Sequence, residues 1–425
     1  MQPGAVGRGR RSAFASRLNG VGSAAGLRRH RPDYILLLLC VGMLMIGLIV
    51  VYAISPALTE SAHVSGNYYV GKQLLAIILS LLAFAVTSQL PLSRWQRFAK
   101  PLLIFAAVAT LLAIVMPVNP NYPAHRWVRL GSFSFQSVEL LKFALLIWLS
   151  GFLTERVKAG EISNPQRTLK PLLIILGIIG LFVAGVQSDL GSTGVIIAIM
   201  SIMAFVAGIP FKWIGVLLGV IAIGFLLAVV VAPYRVERLT AFTHPEADCI
   251  DSGYQACQAL IAVGSGGMFG LGLGRSVQAY GYLPEAANDS IFAIYAEKFG
   301  FVGCIVLLAI LAGFFYRLKT IAERAPDDFS RLLVIGVLTW LSVQAFINIG
   351  AMIGLLPLKG ITLPFISYGG TSVVFASAAV GIVFQISRYT NFVSPLDGRK
   401  QGRGYGNSRD RRRLGRPHYA GVSGR

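Results

Sequence analysis

Three carboxylates frame one stretch of this chain. Glu285, Asp289 and Glu297 lie around the start of a long apolar run, within a glycine-dense segment at 264–303. An acid at such a boundary has two readings. As a first-turn or capping residue it stabilises the helix that follows. Beside lipid its pKa can rise, and it can then serve as a general base. Glu297, eight residues beyond Asp289, falls about two turns deeper on roughly the same face of a helix. There a carboxylate is expensive unless it is paired or lines a cavity. Other charges also interrupt apolar runs. Glu139 and Lys142 are three apart, share a helical face and could pair. Asp189 breaks a further run, Arg126 and Arg129 precede the one holding Glu139, and Lys359 sits in a proline- and glycine-broken segment at 350–372. Interhelical structural contacts would explain each singly; the set suggests one polar cleft, with the cations available to a phosphate or a carboxylate. The glycines of GSGG and GLGLG permit tight turns and close approach. Their consecutive N–H groups could cradle a phosphate, or the glycines could serve packing.

The elements that must hold these groups follow from composition. Of 425 residues 55% are hydrophobic and 13% charged, against roughly 25% charged in soluble domains. Successive runs of about 20 apolar residues each suffice to cross roughly 30 Å of hydrocarbon as a helix. Strand-type alternation is absent from them, which argues against an outer-membrane barrel. The expected fold is therefore an all-α polytopic membrane protein of about ten transmembrane helices. They fall near 34–54, 69–87, up to 116, 138–153, 172–186, 193–207, up to 233, 291–315, 332–355 and 371–386. Residues 94–100 read as a short basic loop, and 126–129 as a polar stretch. A large loop, 234–290, separates the seventh and eighth spans, and 253–263 within it has helical spacing with a mixed face, suited to a surface or re-entrant piece.

The net charge of +20 raises a nucleic-acid reading, which its placement opposes. Arginines cluster before the first span (Arg8, Arg10, Arg11, Arg17, Arg28, Arg29, Arg31) and after the last (Arg399, Arg403, Arg409, Arg411, Arg412, Arg413, Arg416), as suits cytoplasmic tails beside anionic headgroups. Residues 1–31 and 393–425 are expected to be disordered basic tails around a membrane domain at 32–392. With both termini inside, most of the 38 lysines and arginines fall on the cytoplasmic side, and 234–290 lies outside. Cys249 and Cys257, both in that outer interval, could form a disulfide. No Cys/His spacing suits a metal, and no closed ligand set is visible, so a divalent cation (Mg or Mn) stays open.

Six stretches together resemble one family: Arg126-Trp127-Val128-Arg129-Leu130-Gly131; 136–142; Gln187-Ser188-Asp189-Leu190-Gly191; Gly253-Tyr254-Gln255 with the glycine-rich run to Gly274; 283–297; and Leu363-Pro364-Phe365-Ile366-Ser367-Tyr368-Gly369-Gly370. The chain is similar over about 32–392 to the SEDS family (shape, elongation, division and sporulation), polytopic peptidoglycan glycosyltransferases that include FtsW and RodA. The resemblance implies polymerisation of lipid II into β-1,4-linked glycan with undecaprenyl pyrophosphate leaving, Asp289 being the required aspartate. Glu139, Lys142 and Asp189 match further family motifs. Arg126, Arg129, Lys142 and Lys359 are candidate cations for the pyrophosphate, and Glu285 and Glu297 complete the candidate substrate site. A class B penicillin-binding protein, a transpeptidase, is the implied partner, with other division membrane proteins and no nucleic acid.

The chain departs from the family pattern at Ser137-Val138 where Pro-Ser is usual, at Ser290 after Asp289, and at Lys298-Phe299 after Glu297. Leu283-Pro284-Glu285-Ala286 and the segment 358–364 resemble the division branch more than the elongation branch, which implies a place at the septum in the bacterial cytoplasmic membrane. Two rival functions fit the same residues. A lipid II flippase or other transporter also needs intramembrane charges and broken helices. A non-catalytic scaffold for the transpeptidase needs no working acid.

Overall fold

The computed structural model describes residues 31–116, 126–130, 133–230, 249–250, 253–358 and 360–389. The basic tails lie outside these apart from Arg31, as do Lys359 and most of 231–252. Asp33 opens α1 (Tyr34–Ala62) by accepting the Leu36 N–H on Oδ1 at 3.1 Å. There follow α2 (Tyr68–Thr87), α3 (Leu92–Val115), the strands β1 (Trp127–Leu130) and β2 (Phe133–Gln136), then α4 (Ser137–Lys158) and α5 (Pro165–Val186), whose two ends are π-helical. Next come α6 (Leu190–Ala207), α7 (Phe211–Val230), the short α8 (Tyr254–Ser265), α9 (Ile291–Glu323), α10 (Asp328–Met352) and α11 (Gly370–Ser387). Among the described residues nine helices are long and apolar enough to cross a membrane. In addition, the 20-residue α7 carries Lys212 as its sole charge.

Burial separates the centre from the rim. In α4 and α11, 83% of the apolar stretch is buried, against 28% in α3 and 22% in α9. The rim helices carry apolar side chains outward, as lipid-facing helices must, while α4, α10 and α11 meet in the middle with α2 and α6 packed on them. Three local expectations are corrected. Residues 94–100 form the first turns of α3, which starts after Pro91 in an extended conformation suited to a helix entry. The polar stretch at 126–129 belongs to an antiparallel hairpin with the residues that follow it, Trp127 lying opposite Gln136 and Arg129 opposite Ser134. The run that starts at Ile291 is broken, with Gly300 at φ 65°, ψ −167°.

That break organises the glycine-rich segment. Interrupting a membrane helix frees backbone groups that water cannot satisfy, and here 267–272 satisfies them. The N–H groups of Leu271 and Gly272 donate to the carbonyls of Glu297 and Lys298 at 2.9 and 3.0 Å. Those of Phe301 and Val302 donate to Gly267 and Met268 at 2.8 and 3.1 Å. The chains approach so closely that a Cβ on Gly270 would stand 2.1 Å from the Lys298 carbonyl, and one on Gly300 2.3 Å from the Gly270 nitrogen. Of the two uses proposed for GLGLG, the amides of Leu271 and Gly272 serve packing against α9 rather than a phosphate.

Candidate active site

The hairpin delivers Arg126. Its carbonyl accepts the Ser137 N–H at 3.2 Å, and the Gln136 N–H donates to Thr371 Oγ1 at 3.3 Å, which fixes the strands between α4 and α11. The half-buried guanidinium donates from Nη2 to the Ser188 carbonyl at 3.1 Å, and its Nε lies 3.8 Å from Asp189 Oδ2. Ser188 adopts φ 55°, a left-handed turn that reverses the chain between α5 and α6. Asp189 caps α6 by accepting the Ser192 N–H at 3.0 Å. Its other oxygen is left for the arginine.

Asp289 approaches the same place from α9. The N-cap of that helix is Ser290, so Asp289 stands one residue outside it and the expected capping position passes to its neighbour. The Ser290 hydroxyl donates to the Pro284 carbonyl at 2.9 Å and accepts from Gln255 Nε2 of α8 at 3.1 Å. Asp289 is half-buried. Its carboxylate and the Arg126 guanidinium flank Gly360, where a Cβ would stand 3.3 Å from Asp289 Oδ2 and 3.8 Å from Arg126 Nη1. Gly360 has φ 59°, and any side chain there would intrude between the two charges. Asp289, Arg126 and Asp189, from three distant parts of the sequence, thus converge on one point.

The other candidates are placed differently. Glu139 and Lys142 are buried in α4 and paired at 2.8 Å. Lys142 Nζ also donates to Gln344 Oε1 at 3.3 Å and lies over the Trp340 ring. This ammonium faces inward. Glu285 turns back on its own loop, accepting from Asn288 through its side chain and from the Ser290 N–H through its carbonyl. Glu297 is fully buried and accepts from Ser276 Oγ and from the N–H groups of Val277 and Gln278, at 2.8 and 3.2 Å. Its carboxylate therefore binds the glycine-rich segment to α9. Arg129 is exposed on β1. Among the described residues no hydrogen bond or ion pair joins its side chain to the cluster. Cys249 and Cys257 are disulfide-bonded, with Cα atoms 5.6 Å apart.

Several residues of the site were not foreseen: Gln344 and Asn348 of α10, Gly360 and Thr362. Gln344 Nε2 donates to the Thr362 carbonyl and hydroxyl at 3.0 and 3.1 Å, while Asn348 Nδ2 donates to the carbonyls of Asp289 and Ile361 at 2.7 Å each. Two amides one turn apart inside an apolar span are themselves a signal, because a polar group there needs a partner.

A half-exposed carboxylate beside a guanidinium at the mouth of an apolar bundle can take a proton from a hydroxyl while the cation stabilises negative charge nearby. Among the described residues no three His, Cys, Asp or Glu side chains converge as a ready metal cage. A cation such as Mg²⁺ is commonly held by one or two carboxylates together with substrate phosphates.

Comparison with known proteins decides the family. The cell cycle protein family of FtsW, RodA and SpoVE matches residues 34–392. The chain belongs to this family. A relative from Saccharophagus degradans, named "Probable peptidoglycan glycosyltransferase FtsW", is 38% identical over 87% of this chain and 95% of its own length. Stage V sporulation protein E of Bacillus subtilis is 35% identical over 86% of this chain and 99% of its own. Among solved structures, a chain of a peptidoglycan synthase complex that coordinates polymerization and crosslinking superposes with a TM-score of 0.65 at 26% identity, covering 85% of this chain and 99% of that one. Rod shape determining protein RodA of Thermus thermophilus gives 0.59 at 25% identity, covering 85% and 98%. This member of the family is an integral membrane protein with the RodA-like helical fold.

Proposed function

We propose that this chain is a peptidoglycan glycosyltransferase that polymerises lipid II in septal wall synthesis, with Asp289 as its general base. The observation that carries the reading is the meeting of Asp289 with Arg126 and Asp189 around Gly360, in a chain whose relatives include probable peptidoglycan glycosyltransferases FtsW. Asp289 takes the proton of the GlcNAc 4-hydroxyl of one lipid-linked molecule. The oxygen attacks the anomeric carbon of another, the bond to undecaprenyl pyrophosphate breaks with inversion, and a β-1,4 link forms. Arg126 is the cation best placed to meet negative charge near this acid. Asp189 holds its guanidinium, while Lys359 is a second candidate cation. The buried Glu139–Lys142 pair supports the site from below.

The domain reading accompanies this proposal: cytoplasmic tails at 1–31 and 393–425, a membrane domain at 32–392 and an outer loop at 234–290 that brings Asp289 to the periplasmic face. The partner is a class B penicillin-binding protein, in keeping with the peptidoglycan synthase complex among the structural neighbours, and the assembly works with other division proteins at the septum. A transporter also uses broken helices. Here the backbone groups freed at Gly300 bond to 267–272, which favours a fixed scaffold over a carrier site.

The test is polymerisation of labelled lipid II by purified protein, with and without the transpeptidase. We expect glycan chains from the wild type and a loss of at least about 100-fold in Asp289→Asn, the scale of general-base contributions. Full-rate synthesis by that variant, or lipid movement without polymer from the wild type, overturns the reading.

A further inference from the structure

Asn348 stands near the end of α10 and is 2% exposed. Its Nδ2 donates to two backbone carbonyls, those of Asp289 and Ile361, both at 2.7 Å. Because both partners are acceptors, the amide can be oriented only one way round. A flip would set Oδ1 against two carbonyl oxygens. One turn away on the same face, Gln344 does the equivalent for the next residue, donating to the Thr362 carbonyl and hydroxyl while its Oε1 accepts from Trp340 Nε1 at 2.8 Å and from Lys142.

The two amides hold different things. Gln344 joins Thr362 to Lys142 of the buried pair of α4. Asn348 alone among them reaches Asp289, and it does so through the main-chain carbonyl rather than through the carboxylate. Asp289 lies outside α9, so the regular bonds of that helix do not fix its carbonyl. On the other side, Ile361 is adjacent to Gly360, whose Cα faces Asp289 Oδ2. One side chain therefore sets the spacing between the backbone that carries the acid and the backbone that the acid faces.

We propose that Asn348 is a positioning residue for the reaction: it pins the main chain of Asp289 to the 360–362 segment and so fixes where the Asp289 carboxylate stands relative to Arg126. The proposal rests on the glycosyltransferase reading. Misplacing a reacting group by about 1 Å can lower a rate by roughly 100-fold, without weakening the binding of substrate parts held elsewhere.

The experiment uses the full-length protein in complex with its transpeptidase partner and fluorescent lipid II. Asn348→Asp keeps the shape and removes the donor; Asn348→Ala removes the side chain without adding charge, which covers the case in which the aspartate variant does not fold. Equilibrium binding of lipid II counts the folded sites. Per counted site, kcat should fall at least about 30-fold in either variant, with KM within about twofold of wild type. A wild-type kcat per site, or a rise in KM at constant kcat, overturns the proposal. So does a fall in activity matched entirely by a fall in sites counted. Wild-type protein that makes no glycan removes the underlying reading, and this one with it; active wild type, inactive Asp289→Asn and fully active Asn348 variants would remove this one alone.

Discussion

Glu139 Oε1 and Lys142 pair inside α4, with neither group reaching water. Removing one partner strands the other charge, which typically destabilises by about 3–5 kcal/mol, whereas replacing both by apolar groups of similar size is often neutral. Lys142→Met should therefore lower the unfolding temperature of the detergent-solubilised protein sharply, and the double variant Glu139→Leu/Lys142→Met should regain most of the loss. An equal or larger loss in the double variant would show that Gln344 and Trp340 need the ammonium for themselves. This pair was legible in sequence, because three-residue spacing on a helix puts two side chains on one face. The Arg126–Asp189 contact was not, since it joins residues 63 positions apart and depends on the left-handed turn at Ser188. The role of Glu297 was also hidden. Its spacing from Asp289 suggested a shared face, but its carboxylate is turned to three donors at 276–278.

At the scale of elements, runs of apolar residues located the helices well, because length and hydropathy suffice for a membrane span. They did not reveal that α9 is broken, since one glycine in an apolar run is ordinary and only the irregular segment at 267–272 that bonds to it gives it meaning. The hairpin was missed for a related reason. Its strands are four residues each, too short to stand out, although Phe133-Ser134-Phe135-Gln136 after Gly131-Ser132 is a recognisable strand after turn residues. Gly300→Ala tests the break directly. A β-carbon at that φ and ψ, a region almost confined to glycine, costs roughly 1–3 kcal/mol, and crowding against the Phe269–Gly270 backbone adds about 1–3 kcal/mol more. Hydrogen exchange at 267–272 should accelerate in this variant while exchange in α4 and α11 stays slow. Unchanged protection at 267–272 would mean that the segment does not depend on α9.

For the whole molecule, the decisive expectation is orientation. The disulfide between exposed Cys249 and buried Cys257 provides a marker on the segment that leads to Asp289, while Cys40 and Cys304 lie within spans. In intact inner-membrane vesicles of known sidedness, a membrane-impermeant maleimide should label Cys249 from the periplasmic face, and only after an impermeant reductant has been added. Labelling solely from the cytoplasmic face would reverse the topology and remove the site from its substrate. The opposite end of the bundle has its own clasp. Arg317 Nε of α9 donates to Asp33 at 2.9 Å, and the Asp33 N–H donates to Ser387 Oγ of α11 at 3.0 Å. The start of the first helix is thereby tied to the ends of two late ones, and Asp33→Ala should lower the melting temperature without changing lipid II affinity, measurable on the same preparation.

The interlock between 267–272 and 297–302 also governs how this family can be recombined. Neither strip can satisfy its backbone until the other has been synthesised and threaded alongside it. A chimera that imports residues 264–290 from a homologue but keeps the native residues at 297–302 would join two halves that were never matched. Exchanges that move 264–303 as a single cassette should yield assembled protein, and those cut between the two strips should be cleared by membrane proteases.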